Sequence, residues 1–128
     1  MQPHDATSAY REASLENAPP IKIVRMLYQG ALRNIEKARR GLEQNDSSMF
    51  VEGLHKADAI VSELRFALDH GAAPELSSQL ESLYLYVEGR FGRALEQRRI
   101  EPADEGGLVL RQLLSAWAAL DVNGSAAA

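Results

Sequence analysis

The residues that come nearest to a catalytic or metal-binding pattern in this chain are Glu52 and His55. Their Glu-x-x-His spacing places two potential metal ligands on one face of a helix. A di-metal site in a helical bundle needs a second such motif and two further inward glutamates, and the sequence has no second Glu-x-x-His. An exposed Glu and His flanking a core leucine, Leu54, explain the pattern equally well. We therefore predict no metal and no cofactor.

The other reactive groups also favour an interpretation without catalysis. His4 lies near the N-terminus and His70 at a predicted helix end, where histidine is ordinary. The chain has no cysteine, so disulfides, thiolate zinc sites and cysteine nucleophiles are excluded. Arg33, Arg40 and Arg90 could line an anionic pocket, and a small helical-bundle enzyme acting on an anionic metabolite is the alternative function. Arginines on solvated helix surfaces are the simpler explanation.

Charge and hydropathy indicate the expected location and exclude some partners. The net charge is −4, and the arginines are interleaved with acidic residues, whereas a nucleic-acid binder more usually has an unbroken basic stripe. The N-terminus lacks an apolar signal region, and no apolar run approaches the ~20 residues that span a bilayer. We expect a cytosolic protein with no nucleic-acid partner and no membrane insertion.

The apolar pattern predicts four helices. Apolar residues recur at steps of three and four along four stretches of the chain, and no segment shows the alternation of a strand. Short connections between long helices place sequential helices antiparallel. The predicted fold is all-α, an antiparallel up-down four-helix bundle over residues 19–122, with an N-terminal arm or short helix at 1–18 and a disordered tail at 123–128.

Helix boundaries follow from the turn-forming residues. Pro20 suits the first turn of helix one, and Asp46 or Ser47 can cap helix two. His70 and Gly71 mark the end of helix two, while Pro74 begins helix three. Helix three is expected to end before Pro102, and helix four to follow the stretch 104–107, which contains two glycines. The predicted core comprises Val24, Leu27, Leu54, Val61, Leu80, Val87, Phe91, Leu113 and Trp117.

Two helices carry more apolar residues than a single buried stripe requires. Helix one adds Ile21, Ile23, Met26 and Tyr28, and helix three has Tyr84, Leu85 and Tyr86 in succession. A broad core and a groove for a partner explain this surplus equally well. Glycines also lie inside the predicted helices, where each costs roughly 1 kcal/mol relative to alanine. These glycines are Gly30, Gly53, Gly89 and Gly92. Gly89 follows Ser78 and Ser82 at helical spacing, so another helix or a bound peptide could approach the backbone on this side of helix three, and close packing inside the bundle is the simpler alternative.

The sequence resembles a known family over roughly residues 9–118. The stretch APPIKIVRMLYQGA at 18–31 is similar to the proline and Met-Leu-Tyr-acidic-Gly-Ala pattern of the flagellin-specific flagellar export chaperones, the FliS-type proteins. Three further segments, at 9–11, 56–64 and 83–87, and the Ala116-Trp117 pair support the resemblance. Gln29 stands where the family often has an acidic residue.

The resemblance implies a function. Such a chaperone binds the C-terminal segment of flagellin in the cytosol, prevents premature polymerisation, and helps deliver flagellin to a component of the flagellar type III export gate. It is not an enzyme. In such proteins the N-terminal arm can cover apolar surface when the client is absent. With the surplus apolar surface, this predicts a partner-binding set of Tyr10, Ile23, Met26, Leu27, Tyr28, Gly30, Leu85, Tyr86 and Gly89.

Overall fold

The described part of the chain is a bundle of four helices. A computed structural model describes residues 20–127, with side chains described for residues 21–119. The helices are α1 (Pro20–Glu43), α2 (Ser47–Phe66), α3 (Pro74–Gln97) and α4 (Glu101–Ala127). Both α1 and α3 pack against α2 and α4, so α1 and α3 lie diagonally opposite each other. The predicted all-α four-helix bundle is confirmed, while the predicted arm lies outside the described residues.

Local chemistry explains where most of the helices begin. Helix α1 starts at Pro20, where the missing N–H group would have no intrahelical partner. Asp46 caps α2 by accepting a hydrogen bond from the Met49 N–H group at 3.0 Å. Pro74 lies in the first turn of α3, as predicted. Helix α3 ends at Gln97, and the capping residue Arg98 adopts the left-handed conformation (φ 54°).

The predicted start of the fourth helix was wrong. Helix α4 begins at Glu101 and runs through Gly106 and Gly107 without a break. Both glycines are buried, and a Cβ atom at Gly106 would lie 3.2 Å from Val87 Cγ1, while one at Gly107 would lie 3.3 Å from Ile35 Cδ1. These glycines therefore allow α4 to approach α3 and α1 closely, and the cost of placing glycine in a helix is offset by packing.

Two helix ends differ from the sequence expectation. Helix α2 ends at Phe66, ahead of the predicted His70 and Gly71. The chain turns after Leu68, where the Asp69 carboxylate accepts hydrogen bonds from the N–H groups of Gly71 and Ala72. Helix α4 extends to Ala127, beyond residue 122, although Asn123 and Gly124 have low helix propensity.

The core contains most of the predicted residues. Six of them are buried, and Leu27, Leu113 and Trp117 are partly buried against the same cluster. The six are Val24, Leu54, Val61, Leu80, Val87 and Phe91. At the centre, the hydroxyl groups of Tyr28 and Tyr84 form a hydrogen bond of 2.6 Å across the diagonal of the bundle. Their rings meet edge to face, with centroids 6.2 Å apart.

Candidate functional site

A polar contact sets the register between α2 and α3. The Arg65 guanidinium donates two hydrogen bonds to the Glu88 carboxylate, at 2.7 and 3.0 Å, and the Ser62 hydroxyl donates a third at 3.0 Å. The hydrogen bonds to Glu88 raise the pKa of Arg65 above its ordinary value. This contact places the turn of α2 at Ser62 and Arg65 beside the turn of α3 at Glu88.

A groove follows this contact on the outer surface of the bundle. Helical spacing places Ala59, Ser62 and Phe66 in one row along α2, and Leu85, Gly89 and Gly92 in one row along α3. Since the two helices are antiparallel, the register places Phe66 beside Leu85 and Ala59 beside Gly92. We call the surface between these rows, formed by Ala59, Ser62, Phe66, Leu85, Gly89 and Gly92, the α2–α3 groove.

The α2–α3 groove has two exposed apolar side chains, which we call its anchors. Where its glycines lie, the helix backbone is uncovered, and we call this its open floor. Phe66 is 66% exposed and Leu85 49% exposed, and the helix register places these two large apolar side chains beside each other. The Arg65 guanidinium lies 4.6 Å from the centre of the Phe66 ring. A Cβ atom at Gly89 or Gly92 would meet no other heavy atom within 4 Å. A bound backbone could therefore approach α3 closely at this point.

A shallow depression extends the groove along α2. It has a volume of about 590 Å³ and shares Ala59 with the groove. Its lining also includes Ser47, Ser48, Val51, Glu52, His55 and Lys56. Groove and depression together follow most of the length of α2, from Phe66 back to Ser47. A helix of that length, 20 residues, is about 30 Å long.

The predicted residues on α3 divide between two sides of that helix. Leu85 and Gly89 lie in the α2–α3 groove, as just described. Tyr86 is 48% exposed but lies on the side of α3 nearer α4, where the Arg90 guanidinium is 5.9 Å from its ring centre. Arg90 in turn donates to Glu105 of α4 at 2.6 Å. Tyr86 and Leu85 therefore do not belong to one continuous row.

On α1, the prediction that Tyr28 is surplus to the core was wrong. Tyr28 is fully buried, because its ring packs across the core and its hydroxyl bonds to Tyr84. Gly30 is also buried and faces α2, with its Cβ position 3.4 Å from Ile60 Cδ1. Leu27 packs against the core. These three residues are structural in the described bundle.

Ile23 and Met26 remain accessible, but far from the groove. Ile23 is half-buried and Met26 is 57% exposed. Both lie on α1, diagonally opposite α3. The structure therefore does not bring them together with Leu85 and Tyr86 on a single surface. Tyr10 lies outside the described residues.

The candidate metal motif lies on the outer surface of α2. Glu52 and His55 are both exposed, and Lys37 donates a hydrogen bond to Glu52. This contact lowers the pKa of Glu52. Among the described residues, no group of three or more His, Cys, Asp or Glu side chains is placed to hold a metal ion. No helix in that same part of the chain is long and apolar enough to cross a membrane.

Sequence reasoning missed Phe66 as a site residue. We predicted that α2 continues past Leu68, which would place Phe66 in the helix interior. In the structure, Phe66 lies in the last turn of α2 and on the outer surface of the bundle. Gly92 was noted only as an unfavourable residue within a helix. Its spacing of three from Gly89 and seven from Leu85 was the signal that could have placed all three on one face.

Comparison with known proteins agrees with this architecture. The family described as "Flagellar protein FliS" matches residues 3–124. The flagellar secretion chaperone FliS of Bacillus subtilis (strain 168) is 34% identical over 87 residues, which cover 68% of this chain and 64% of that protein. Flagellar secretion chaperone FliSB of Pseudomonas aeruginosa is 30% identical over 83% of this chain and 84% of its own length.

A relative from Salmonella typhimurium, also named flagellar secretion chaperone FliS, is 31% identical over 114 residues, or 85% of this chain and 84% of that protein. The family match covers nearly the whole chain, including all four helices up to residue 124. The resemblance found in the sequence is therefore confirmed, and this chain belongs to the FliS family of flagellar proteins.

Proposed function

We propose that this chain is a cytosolic export chaperone for flagellin, and that the C-terminal segment of flagellin binds in the α2–α3 groove. By covering that segment, the chaperone prevents premature polymerisation and helps deliver flagellin to the flagellar type III export gate. Membership of the FliS family supports the chaperone class. The observation that carries the site is the pairing of exposed Phe66 and Leu85 with an open floor at Gly89 and Gly92.

The groove suits an amphipathic client segment. Apolar side chains of the client would be desolvated against Phe66 and Leu85, and anchors of this kind dominate interface energies. The glycines allow the client backbone to lie close to α3, so that contact extends along the helix as well as at the two anchors. Folding of a disordered segment on a preformed surface costs about 2–5 kcal/mol, which keeps such binding reversible at the export gate.

The alternative enzyme function has a less suitable site. The most arginine-rich depression, of about 300 Å³ near the connection between α3 and α4, includes Arg90, Arg93 and Arg99. Each of these arginines already forms an ion pair with a nearby glutamate. An anionic metabolite would have to displace these partners, so the geometry favours protein binding.

The first test measures binding of a peptide with the flagellin C-terminal sequence by calorimetry. Replacing either Phe66 or Leu85 by alanine is expected to weaken binding by about 1–3 kcal/mol, because each removes an apolar anchor. Met26→Ala is the matched control, since Met26 is similarly exposed but lies on α1, diagonally opposite the groove. Equal losses for all three variants would contradict the proposed site.

A second test fills the groove instead of removing its anchors. Gly89→Leu adds a side chain into space where no heavy atom lies within 4 Å, so the bundle is expected to remain folded. The added side chain should block the client and weaken binding at least about tenfold, a loss of roughly 1.4 kcal/mol. Cells that produce this variant are expected to secrete less flagellin. Unchanged affinity in a folded Gly89→Leu protein would rule out close approach at α3.

A further inference from the structure

The outward side of α1 is unusually basic. Lys22, Arg33, Lys37 and Arg40 fall on one helix face at steps of eleven, four and three, with exposed Met26 among them. Lys37 donates to Glu52 and Gly30 faces Ile60, which fixes the antiparallel register of α1 and α2. One turn further along α2, this register places exposed Lys56 beside Arg33. We call Lys22, Met26, Arg33, Lys37, Arg40 and Lys56 the α1 basic face.

The arginines of this face differ from those elsewhere in the described bundle. Six other arginines form ion pairs with acidic side chains: Arg39, Arg65, Arg90, Arg93, Arg99 and Arg111. Arg98 bonds to the Ser47 hydroxyl. Within residues 21–119, no acidic side chain pairs with Arg33 or Arg40, although both are exposed and near the α1–α2 surface.

The charge of α1 is also opposite to that of the whole chain. Helix α1 contains six Lys or Arg residues and two Glu residues, whereas the complete chain has a net charge of −4. Glu36 and Glu43 lie one turn from Arg40 on α1 and neutralise part of the α1 basic face, and Glu52 of α2 is already paired with Lys37. A local surplus of positive charge remains around Arg33, Arg40 and Lys56.

We propose that the α1 basic face is a second docking surface, and that its occupant is an acidic amphipathic helix of another protein. Charge complementarity favours the acidic face of such a helix. Met26 and half-buried Ile23 form an apolar surface beside the cations, which the apolar face of the helix can contact. From Lys22 to Arg40 the face extends about 27 Å along α1, the length of a helix of ~18 residues. Nucleic acid fits less well, because Met26 interrupts the row of cations that a phosphate backbone would follow.

The location of this face separates its function from client binding. Helix α1 is diagonally opposite α3, which forms one wall of the α2–α3 groove. The two surfaces therefore lie mainly on different helices, and Lys56, which also lines the depression beside the groove, is the residue they share. The inference does not depend on the identity of the client, since it rests on the charges of α1 and its neighbour α2.

The test uses two synthetic helical peptides of ~18 residues and the full-length chain. One peptide carries glutamates on one face around a single leucine, and the other has glutamine in place of each glutamate. We expect the Glu peptide to bind at least about tenfold more tightly, and its affinity to fall as salt rises from about 50 to about 300 mM because exposed charges are screened.

A pair of charge reversals tests the surface itself. The double variant Arg33→Glu, Arg40→Glu is expected to lose at least about tenfold in affinity for the Glu peptide. The double variant Arg93→Glu, Arg99→Glu changes the net charge equally at exposed positions and should retain binding. Circular dichroism checks that both variants are folded.

Three results would overturn this proposal. The first is equal affinity for the Glu and Gln peptides, and the second is an equal loss in both double variants. The third is tighter binding of single-stranded DNA or of phosphatidylglycerol vesicles than of the Glu peptide. Failure of the flagellin experiment would leave these outcomes unaffected, because the two tests use different peptides and change different residues.

Discussion

Glycines 53 and 89 lie in the interiors of α2 and α3, yet alanine should have opposite effects at the two positions. A Cβ atom at Gly53 would lie 2.6 Å from the Asn34 carbonyl oxygen and 2.8 Å from the Ala38 nitrogen. Both are backbone atoms of α1, so no side-chain rotation can relieve the overlap. At Gly89 the added methyl group would meet nothing within 4 Å.

The expected magnitudes follow from these distances. Alanine improves on glycine by about 1 kcal/mol in a helix interior. At Gly53 this gain is opposed by overpacking, which costs about 3 kcal/mol where the backbone must move. Gly53→Ala should therefore lower the free energy of unfolding by about 2 kcal/mol, whereas Gly89→Ala should raise it by up to about 1 kcal/mol.

Urea denaturation followed by circular dichroism measures both free energies of unfolding. At roughly 4 °C per kcal/mol for a domain of this size, the melting temperature should fall by about 8 °C for Gly53→Ala and rise by a few degrees for Gly89→Ala. If Gly53→Ala were as stable as Gly89→Ala, the close approach of α1 and α2 at this glycine would be refuted. The reasoning that separates packing glycines from groove glycines would then fail as well.

Four further predictions concern the core and the groups that titrate. Replacing Leu54 by alanine should cost about 2–5 kcal/mol in denaturation experiments, because its side chain is fully buried. Single Phe variants of Tyr28 and Tyr84 should couple by about 1 kcal/mol in a double-mutant cycle. Burial raises the pKa of Tyr28 above its ordinary 10.0, so stability should fall as pH rises above 10, and Tyr28→Phe should flatten this slope. Burial, with the charge of Glu88, raises the pKa of Asp58 above 3.8, so the ionised carboxylate destabilises the fold at pH 7. Asp58→Asn should therefore raise the melting temperature at pH 7. The variant should lose that advantage below pH 3.8, where the carboxyl group is protonated in both the folded and the unfolded chain.

Hydrophobic periodicity was sufficient for the architecture, because each helix buries one stripe with a period near 3.6 residues. It could not assign Tyr28, because apolar residues surround that part of α1. The core position of Tyr28 depends on Tyr84, a hydrogen-bond partner 56 residues away on the diagonal helix. A tertiary contact of this range leaves no local sequence signal.

The roles of the glycines were ambiguous in the sequence, because they too depend on contacts with neighbouring helices. Gly106 and Gly107 resembled a turn before a helix, although they allow α4 to pack closely against α3 and α1. At Gly89 the sequence left close packing and an open side of α3 as alternatives, and it could not show which neighbouring helix forms the opposite wall. That wall is α2, because Arg65 and Glu88 join the two helices.

The groove and its surroundings are held in place before any client binds. Arg65 joins α2 to α3 through Glu88, and Arg39 joins α1 to α4 through Asp104. Both ion pairs remain partly accessible to solvent, and such pairs contribute modest free energy individually, so the main effect of these contacts is to fix helix register. Under the proposed function, the entropy lost on binding would fall mainly on the client segment, because the chaperone surface is already folded. This unequal loss of entropy favours release, because the client would regain its conformational freedom when it leaves. The bundle would keep its shape for the next client molecule.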